Sequence, residues 1–379
     1  MTESYEPFDP EYLRELEKQV FGDIFRTYFR PLLIGADKIP RDRGAILAPN
    51  HSGNAFPYDA MVLDAKIWEH DQFNPALKLR SVFEKELAVT WWMRPFGIDN
   101  FWRRGGGVDL TFDNFEHLVK AGKRLIYFPE GVPGIGKGFN RRYQLQPFST
   151  SFVLISARNK TPVIPIYAIN CEWIIPFCYT FKGIDWFVFK FFGVPFLPLP
   201  AAPLGFLFPW MWYAAMPVRM IFVVGDPIDT AELTRQHGIT DLEDPDRAQL
   251  KSVSEAIRVA AQAELNKYVR KYGKRPYDFR SFWKRMKKTK WWARTPLSWP
   301  WLFLCHERNR FRKPAKNAVV RWLRDWDLLA FYLPLGWFVL SLTRRFRKPP
   351  YGYRGMSAEE KRMQCGEFTW HLKDRPLSD

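Results

Sequence analysis

The chain is short of several things that would name a class at once. It has 4 cysteines in 379 residues, and Cys171, Cys178, Cys305 and Cys365 follow no zinc-ligand spacing. That excludes a disulfide scaffold and predicts a reducing compartment. The opening run, MTESYEPFDPEYLREL, is acidic and has no apolar core, so no secretory signal peptide is expected. There is no low-complexity tract, and no G-x-S-x-G elbow of the serine esterase design. Long apolar runs are few and interrupted. Residues 191–218 carry no charge, but Pro195, Pro198, Pro200, Pro203, Pro209 and Pro217 forbid one regular helix there. The run Leu328–Leu342 contains Pro334 and falls short of the about 20 residues that cross a bilayer. A shallow or re-entrant segment is expected.

Aromatic residues and positive charge are abundant. The chain holds 33 Phe, 17 Trp and 15 Tyr, and its formal charge is +17. The charge is uneven: residues 280–379 hold 23 Lys/Arg against 8 Asp/Glu and nine of the tryptophans, while residues 1–279 are near neutral. With 47% hydrophobic and 26% charged residues, wholesale disorder is excluded. Three segments are expected: an N-terminal helical segment, 1–40; an α/β domain, 41–279, with an apolar Pro-rich insertion at about 181–217; and a basic, Trp-rich C-terminal region, 280–379. Such a tail suits an anionic surface, either lipid headgroups or nucleic acid.

Periodicity predicts a helix over 9–30, ending before Pro31. It predicts strands at 44–49, 79–83, 163–168 and 218–224, another in RLIYFPEG (124–131) with a loop at its C-terminal end, and a weak strand at 98–102. Helices are predicted from Asp59, over 87–95, 108–121, 148–159 and 255–272. Strands alternating with helices imply an α/β fold with a mostly parallel central sheet flanked by helices. Such sheets bind ligands at the C-terminal ends of their strands.

Two motifs sit where that rule directs attention. Asn50-His51-Ser52-Gly53 follows a strand, and Asp59 opens a helix a few residues later. A carboxylate on one ring nitrogen fixes the tautomer and leaves the other nitrogen to take a proton from an alcohol. Phe128-Pro129-Glu130-Gly131 ends another strand and aims a carboxylate into a glycine loop. A third run, Gly131 to Gly138 (GVPGIGKG), has the spacing of a phosphate-cradling loop. It fails as one, because Gly138 stands where Ser or Thr must ligate magnesium and Pro133 removes a backbone donor.

In order, these pieces resemble the glycerolipid (lysophospholipid) acyltransferase family. The His–Asp block is similar to His51 and Asp59. The Arg block is similar to GIDNFWRR with Arg103 or Arg104, the FPEG block is Phe128 to Gly131, and the last block is TPVIPI with Pro165. The resemblance covers roughly residues 40–230. It implies His51 as general base and Asp59 as its orienting partner, and Arg103, Arg104, Glu130, Gly131 and Pro165 as substrate-binding residues. It also implies no bound cofactor or metal, an acyl-CoA or acyl-carrier-protein thioester as donor, and a lysolipid acceptor. Partners would be a phospholipid membrane, at its cytosolic face, and possibly an acyl carrier protein. There are two departures. Seven residues separate His51 from Asp59 where the family has four, which leaves Asp64 as the alternative partner. Val-Pro-Gly follows FPEG where the family has Thr-Arg-Ser, so Lys137, Arg141 or Arg142 must replace the missing arginine, or the acceptor lacks a phosphate. The competing class is a nucleic-acid binder using the basic tail. The uncharged 191–218 run speaks against it, and no nucleic acid is expected as partner.

Overall fold

The computed structural model describes residues 8–53, 56–83, 101–192, 196–288, 299–309 and 317–345. Seven strands form one sheet: β1 (Leu32–Ile34), β2 (Ala45–Pro49), β3 (Arg80–Phe83), β4 (Val108–Asp109), β5 (Arg124–Ile126), β6 (Val163–Ile169) and β9 (Ile221–Val224), in the order β1-β9-β6-β2-β5-β3-β4. All neighbours run parallel except β6 and β9. Two short strands, β7 (Cys178–Tyr179) and β8 (Leu199–Pro200), form a separate antiparallel ribbon.

A parallel strand in mid-sheet is apolar on both faces because helices cover both. β2 shows this within three residues. Ala45 and Leu47 pack into one core, with the Tyr58–His70 helix and the N-terminal helical segment. Ile46 packs into the other, with the Phe112–Lys120, Ser151–Asn159 and Arg247–Tyr272 helices. The chain leaving β5 crosses over β2 to enter β6, so β2 lies at the point where connections diverge. Loops beyond the ends of β2 and β5 meet at that point.

Several boundaries differ from the sequence reading. The predicted 108–121 helix begins later: Val108 and Asp109 pair with Val82 and Phe83 at the sheet edge, and the Thr111 hydroxyl caps the helix by accepting from the Asn114 N–H at 3.1 Å. The weak strand at 98–102 is not formed at Phe101 and Trp102, which open a helical turn, Phe101–Arg104. The rest of it and the 87–95 helix lie outside the described residues. The helix expected from 255 starts at Arg247, where the Asp246 side chain caps Ala248 and Gln249. The 9–30 helix is Pro10–Leu16 followed by two π-helical turns, and Arg30 closes it in the left-handed region at φ 45°.

Much of the described C-terminal region is built into the core. Trp299, Phe303, Leu328 and Phe331 are buried in the same cluster as Leu47 and Tyr58. The Trp299 indole donates to the Tyr58 hydroxyl at 2.8 Å, and that hydroxyl donates to the Tyr213 carbonyl at 2.7 Å. Among the described residues, no helix is long and apolar enough to cross a membrane.

Two substitutions check this packing by urea unfolding. Thr111→Ala should cost about 1 kcal/mol through the lost cap. Leu47→Ala, which empties a fully buried mid-sheet position, should cost about 2–5 kcal/mol. A smaller loss for Leu47 than for Thr111 would contradict the two-faced burial of β2.

Candidate active site

Strand register brings the two sequence motifs together. Leu47 of β2 pairs with Ile126 of β5. His51 lies four residues past the first and Glu130 four past the second, so the two residues leave the sheet side by side. The Glu130 carboxylate accepts the His51 backbone N–H at 2.9 Å on Oε1 and the Gln146 N–H at 2.7 Å on Oε2. Asn50 ties the same loop to β6: its side-chain oxygen accepts the Ala168 N–H at 2.8 Å, and its amide donates to the Ala168 carbonyl at 3.3 Å.

The imidazole of His51 stacks on Phe128, with centroids 3.8 Å apart and planes 11° from parallel. Its Nδ1 lies 3.2 Å from Asp59 Oδ2. That same oxygen accepts the Ser52 N–H at 2.8 Å, while Oδ1 accepts the Ala60 N–H at 2.9 Å. Asp59 is buried in the first turn of the Tyr58–His70 helix. Burial pushes its carboxyl upward, but the His51 imidazole and the two N–H bonds outweigh that and hold it below its ordinary value. An ionised Asp59 accepts from Nδ1–H, which leaves Nε2 as the basic nitrogen. Asp64 is engaged elsewhere. Both its oxygens accept from Lys78, at 2.6 and 2.5 Å.

The remaining sequence candidates divide. Glu130 is fully enclosed and both its oxygens hold backbone, so it braces loops where the resemblance implied contact with substrate. Gly131 takes φ +52° directly after it, a conformation that favours glycine. Pro165 sits inside β6 opposite Ala48 and, with Asn50 and Pro129, lines a small apolar cavity in the sheet packing. Arg104 is buried: it donates to Asp9 at 2.8 Å, lies 4.0 Å from Glu307, and its guanidinium covers the Tyr12 ring at 3.6 Å. Its charge is matched inside the protein, against the expectation of a phosphate-facing arginine. The Arg103 side chain lies outside the described residues.

The three candidates for the missing arginine are placed as follows. Arg142 is exposed and covers the Phe139 and Trp173 rings. Arg141 donates to the Lys137 carbonyl and to Thr180. Lys137, from the run that mimics a phosphate loop, is fully buried, with its ammonium 3.7 Å from Glu130 Oε2 and 3.9 Å from Glu172 Oε1. It also underlies the His51 loop, for a Cβ on Gly53 would come within 2.6 Å of its Cγ. Glu172 was not singled out from the sequence; an acid in an apolar stretch after β6 was the available signal.

Residues 31–169 match the model of the acyltransferase family. That stretch of the chain is similar to the acyltransferase family. It is 28% identical over 245 residues to the uncharacterized protein Rv0502 of Mycobacterium tuberculosis, covering 63% of this chain and 62% of that one. It is 28% identical over 247 residues to the uncharacterized protein ML2427 of Mycobacterium leprae, covering 63% and 60%. The matched region thus spans about three-fifths of the length of these relatives. A crystal structure titled 1-acyl-sn-glycerophosphate (LPA) acyltransferase, PlsC, from Thermotoga maritima superposes with a TM-score of 0.39 at 16% identity, over 68% of this chain and 81% of that one.

The buried cluster of Glu130, Lys137 and Glu172 gives stability a pH signature. Burial pushes the Glu172 carboxyl from 4.5 up to about 7, against the opposing attraction of Lys137. The folded state therefore keeps a proton, between those two values, that the unfolded chain has released. Stability should fall as pH rises through that window. Glu172→Gln should flatten this slope in urea titrations at a series of pH values. An unchanged slope would assign the dependence to another group.

Proposed function

We propose that the protein moves a fatty acyl group from an acyl thioester to the hydroxyl of a lysophospholipid or glycerol-phosphate lipid. The observation that carries the reading is the His51–Asp59 contact at 3.2 Å inside a stretch similar to the acyltransferase family. In this reading His51 Nε2 removes the proton of the acceptor hydroxyl as its oxygen attacks the thioester carbonyl. Asp59 orients the ring and stabilises the imidazolium. Collapse of the tetrahedral intermediate expels the thiolate, which takes up the proton from His51. The donor is acyl-CoA or acyl-carrier protein, neither metal nor bound cofactor takes part, and the work is done at the cytosolic face of a membrane.

His51→Ala should lower turnover by about 10²–10⁴-fold while the far-ultraviolet circular dichroism spectrum is unchanged. Asp59→Asn should be strongly impaired as well. Asp64→Asn should lose stability, because it strands the buried Lys78, yet keep turnover per folded molecule. Near-normal turnover in His51→Ala would remove the dyad from the mechanism.

A second reading concerns the acceptor alone. Arg104 and Lys137 are both matched by carboxylates, which favours an acceptor without phosphate, such as a diacylglycerol, an aminolipid or a long-chain alcohol. Competition assays separate the two. If a phosphate is gripped, Arg103→Ala should raise the Michaelis constant for lysophosphatidate several-fold and leave the donor's unchanged. If it is not, neutral alcohols should outcompete lysophosphatidate and Arg103→Ala should have no effect on acceptor affinity.

A further inference from the structure

The helix Lys182–Phe192 is the most unusual surface of the molecule. Trp186, Phe187, Phe189 and Phe191 are 61%, 49%, 62% and 60% exposed, and within the helix only Val188 is buried among the described side chains. Four large aromatic side chains on an 11-residue helix far exceed the scattered apolar exposure of an ordinary soluble surface. At 1.5 Å per residue the helix is about 16 Å long, roughly half a bilayer's hydrocarbon thickness. It can lie in an interface but cannot span one. Lys190 sits over the Trp186 ring at 4.8 Å, the pairing of cation and indole that suits the headgroup layer.

This helix is wired to the active site. It follows the β7 strand directly, and Cys178 of β7 contacts the Gly53 carbonyl of the His51 loop at 3.7 Å. Thr180 accepts from Arg141 at 2.6 Å, and Asp185 of the helix lies 3.9 Å from the same guanidinium. On its other side, ring contacts run from Tyr179 through Phe139, Trp173 and Tyr277 to Phe279, at centroid separations of 6.2, 4.9, 6.0 and 5.5 Å. Phe279 opens the Phe279–Met286 helix, which exposes Arg280, Trp283 and Lys284 and is followed by exposed Lys287 and Lys288. The β7 strand thus links the apolar helix to the His51 loop on one side and to a cationic, aromatic helix on the other.

We infer that Lys182–Phe192 is an interfacial anchor that beds into an anionic phospholipid bilayer, with the Phe279–Met286 helix supplying the electrostatic attraction. This rests on the acyl-transfer reading and deepens it. The anchor holds the His51 loop at the depth where an acyl donor and a lipid hydroxyl meet, so neither has to leave the bilayer fully. The occupant is a lipid surface because Lys190 accompanies the exposed aromatic face and the ring contacts lead to a helix with exposed Arg280 and Lys284, and the charge complement of such cations is an anionic headgroup layer.

The test is co-sedimentation of the full chain with phosphatidylcholine vesicles, with and without phosphatidylglycerol. Trp186→Ser/Phe189→Ser/Phe191→Ser should weaken partitioning to both vesicle types by at least about tenfold. Lys284→Glu/Lys287→Glu should remove only the increment due to phosphatidylglycerol. As a readout in an otherwise intact surface, Trp186→Cys carrying a polarity-sensitive dye, in a chain with Cys305→Ser and Cys365→Ser, should shift to the blue on vesicles. His51→Ala should partition like the unaltered chain while losing turnover, so a failure of docking and a failure of the chemistry are read separately. Unchanged partitioning of the triple variant, or no dye shift, would overturn the inference. So would a triple variant that turns a dimer into a monomer with vesicle binding intact, since the face would then belong to a second copy.

Discussion

Two hydrogen bonds to one carboxylate hold this site together. Glu130 accepts the backbone N–H groups of His51 and Gln146, and so clamps the loop after β2 to the chain that follows β5. A buried carboxylate that bonds two amides meets its own need for partners and satisfies donors that water cannot reach. Lys137 lies beneath and supplies the opposite charge. Without this clamp the sheet would still put the two strand ends next to each other, but the height and tilt of the His51 ring above Phe128 would rest on Asp59 and Asn50 alone. The proton transfer proposed for His51 is sensitive to such displacements.

The rest of the site is arranged around that clamp in layers. Asp59 comes from a helix whose apolar face is set by the sheet, and its two oxygens serve the ring and the loop at once. Asn50 binds the loop to β6 on the other side. Lys137 and Glu172 form a floor of charge in which one acid is held close to neutral pH by burial. Strands, helix and floor each remove one freedom from His51, and no single element would suffice.

The sheet was largely readable from the amino-acid string because parallel strands advertise themselves as short apolar runs. Residues 44–49, 79–83 and 163–168 correspond to β2, β3 and β6 within a residue or so. The motif residues were readable because they stand at strand ends among Gly, Asn and Pro. What was hidden depends on distant partners. Val108 and Asp109 look helical until Val82 and Phe83 offer an edge to pair with. Arg104 looks like an anion site until Asp9, nearly a hundred residues away, takes its charge. Trp299 reads like its exposed neighbours in the tail, yet it fills the core against Tyr58. A periodicity reports which face of an element is apolar, and it does not report which charges or rings that face will meet.

The wide interval between His51 and Asp59 has a consequence for how such enzymes are found. The helix delivers the carboxylate and the strand delivers the imidazole, so their separation along the chain is only the length of whatever bridges them. A search written as a fixed count of residues measures that bridge, which is free to vary. A search written in structural terms, asking for an imidazole just past the end of one strand and an acid in the first turn of the helix that follows, measures the part that the contact constrains. Chains that have lengthened the bridge would be invisible to the first and plain to the second.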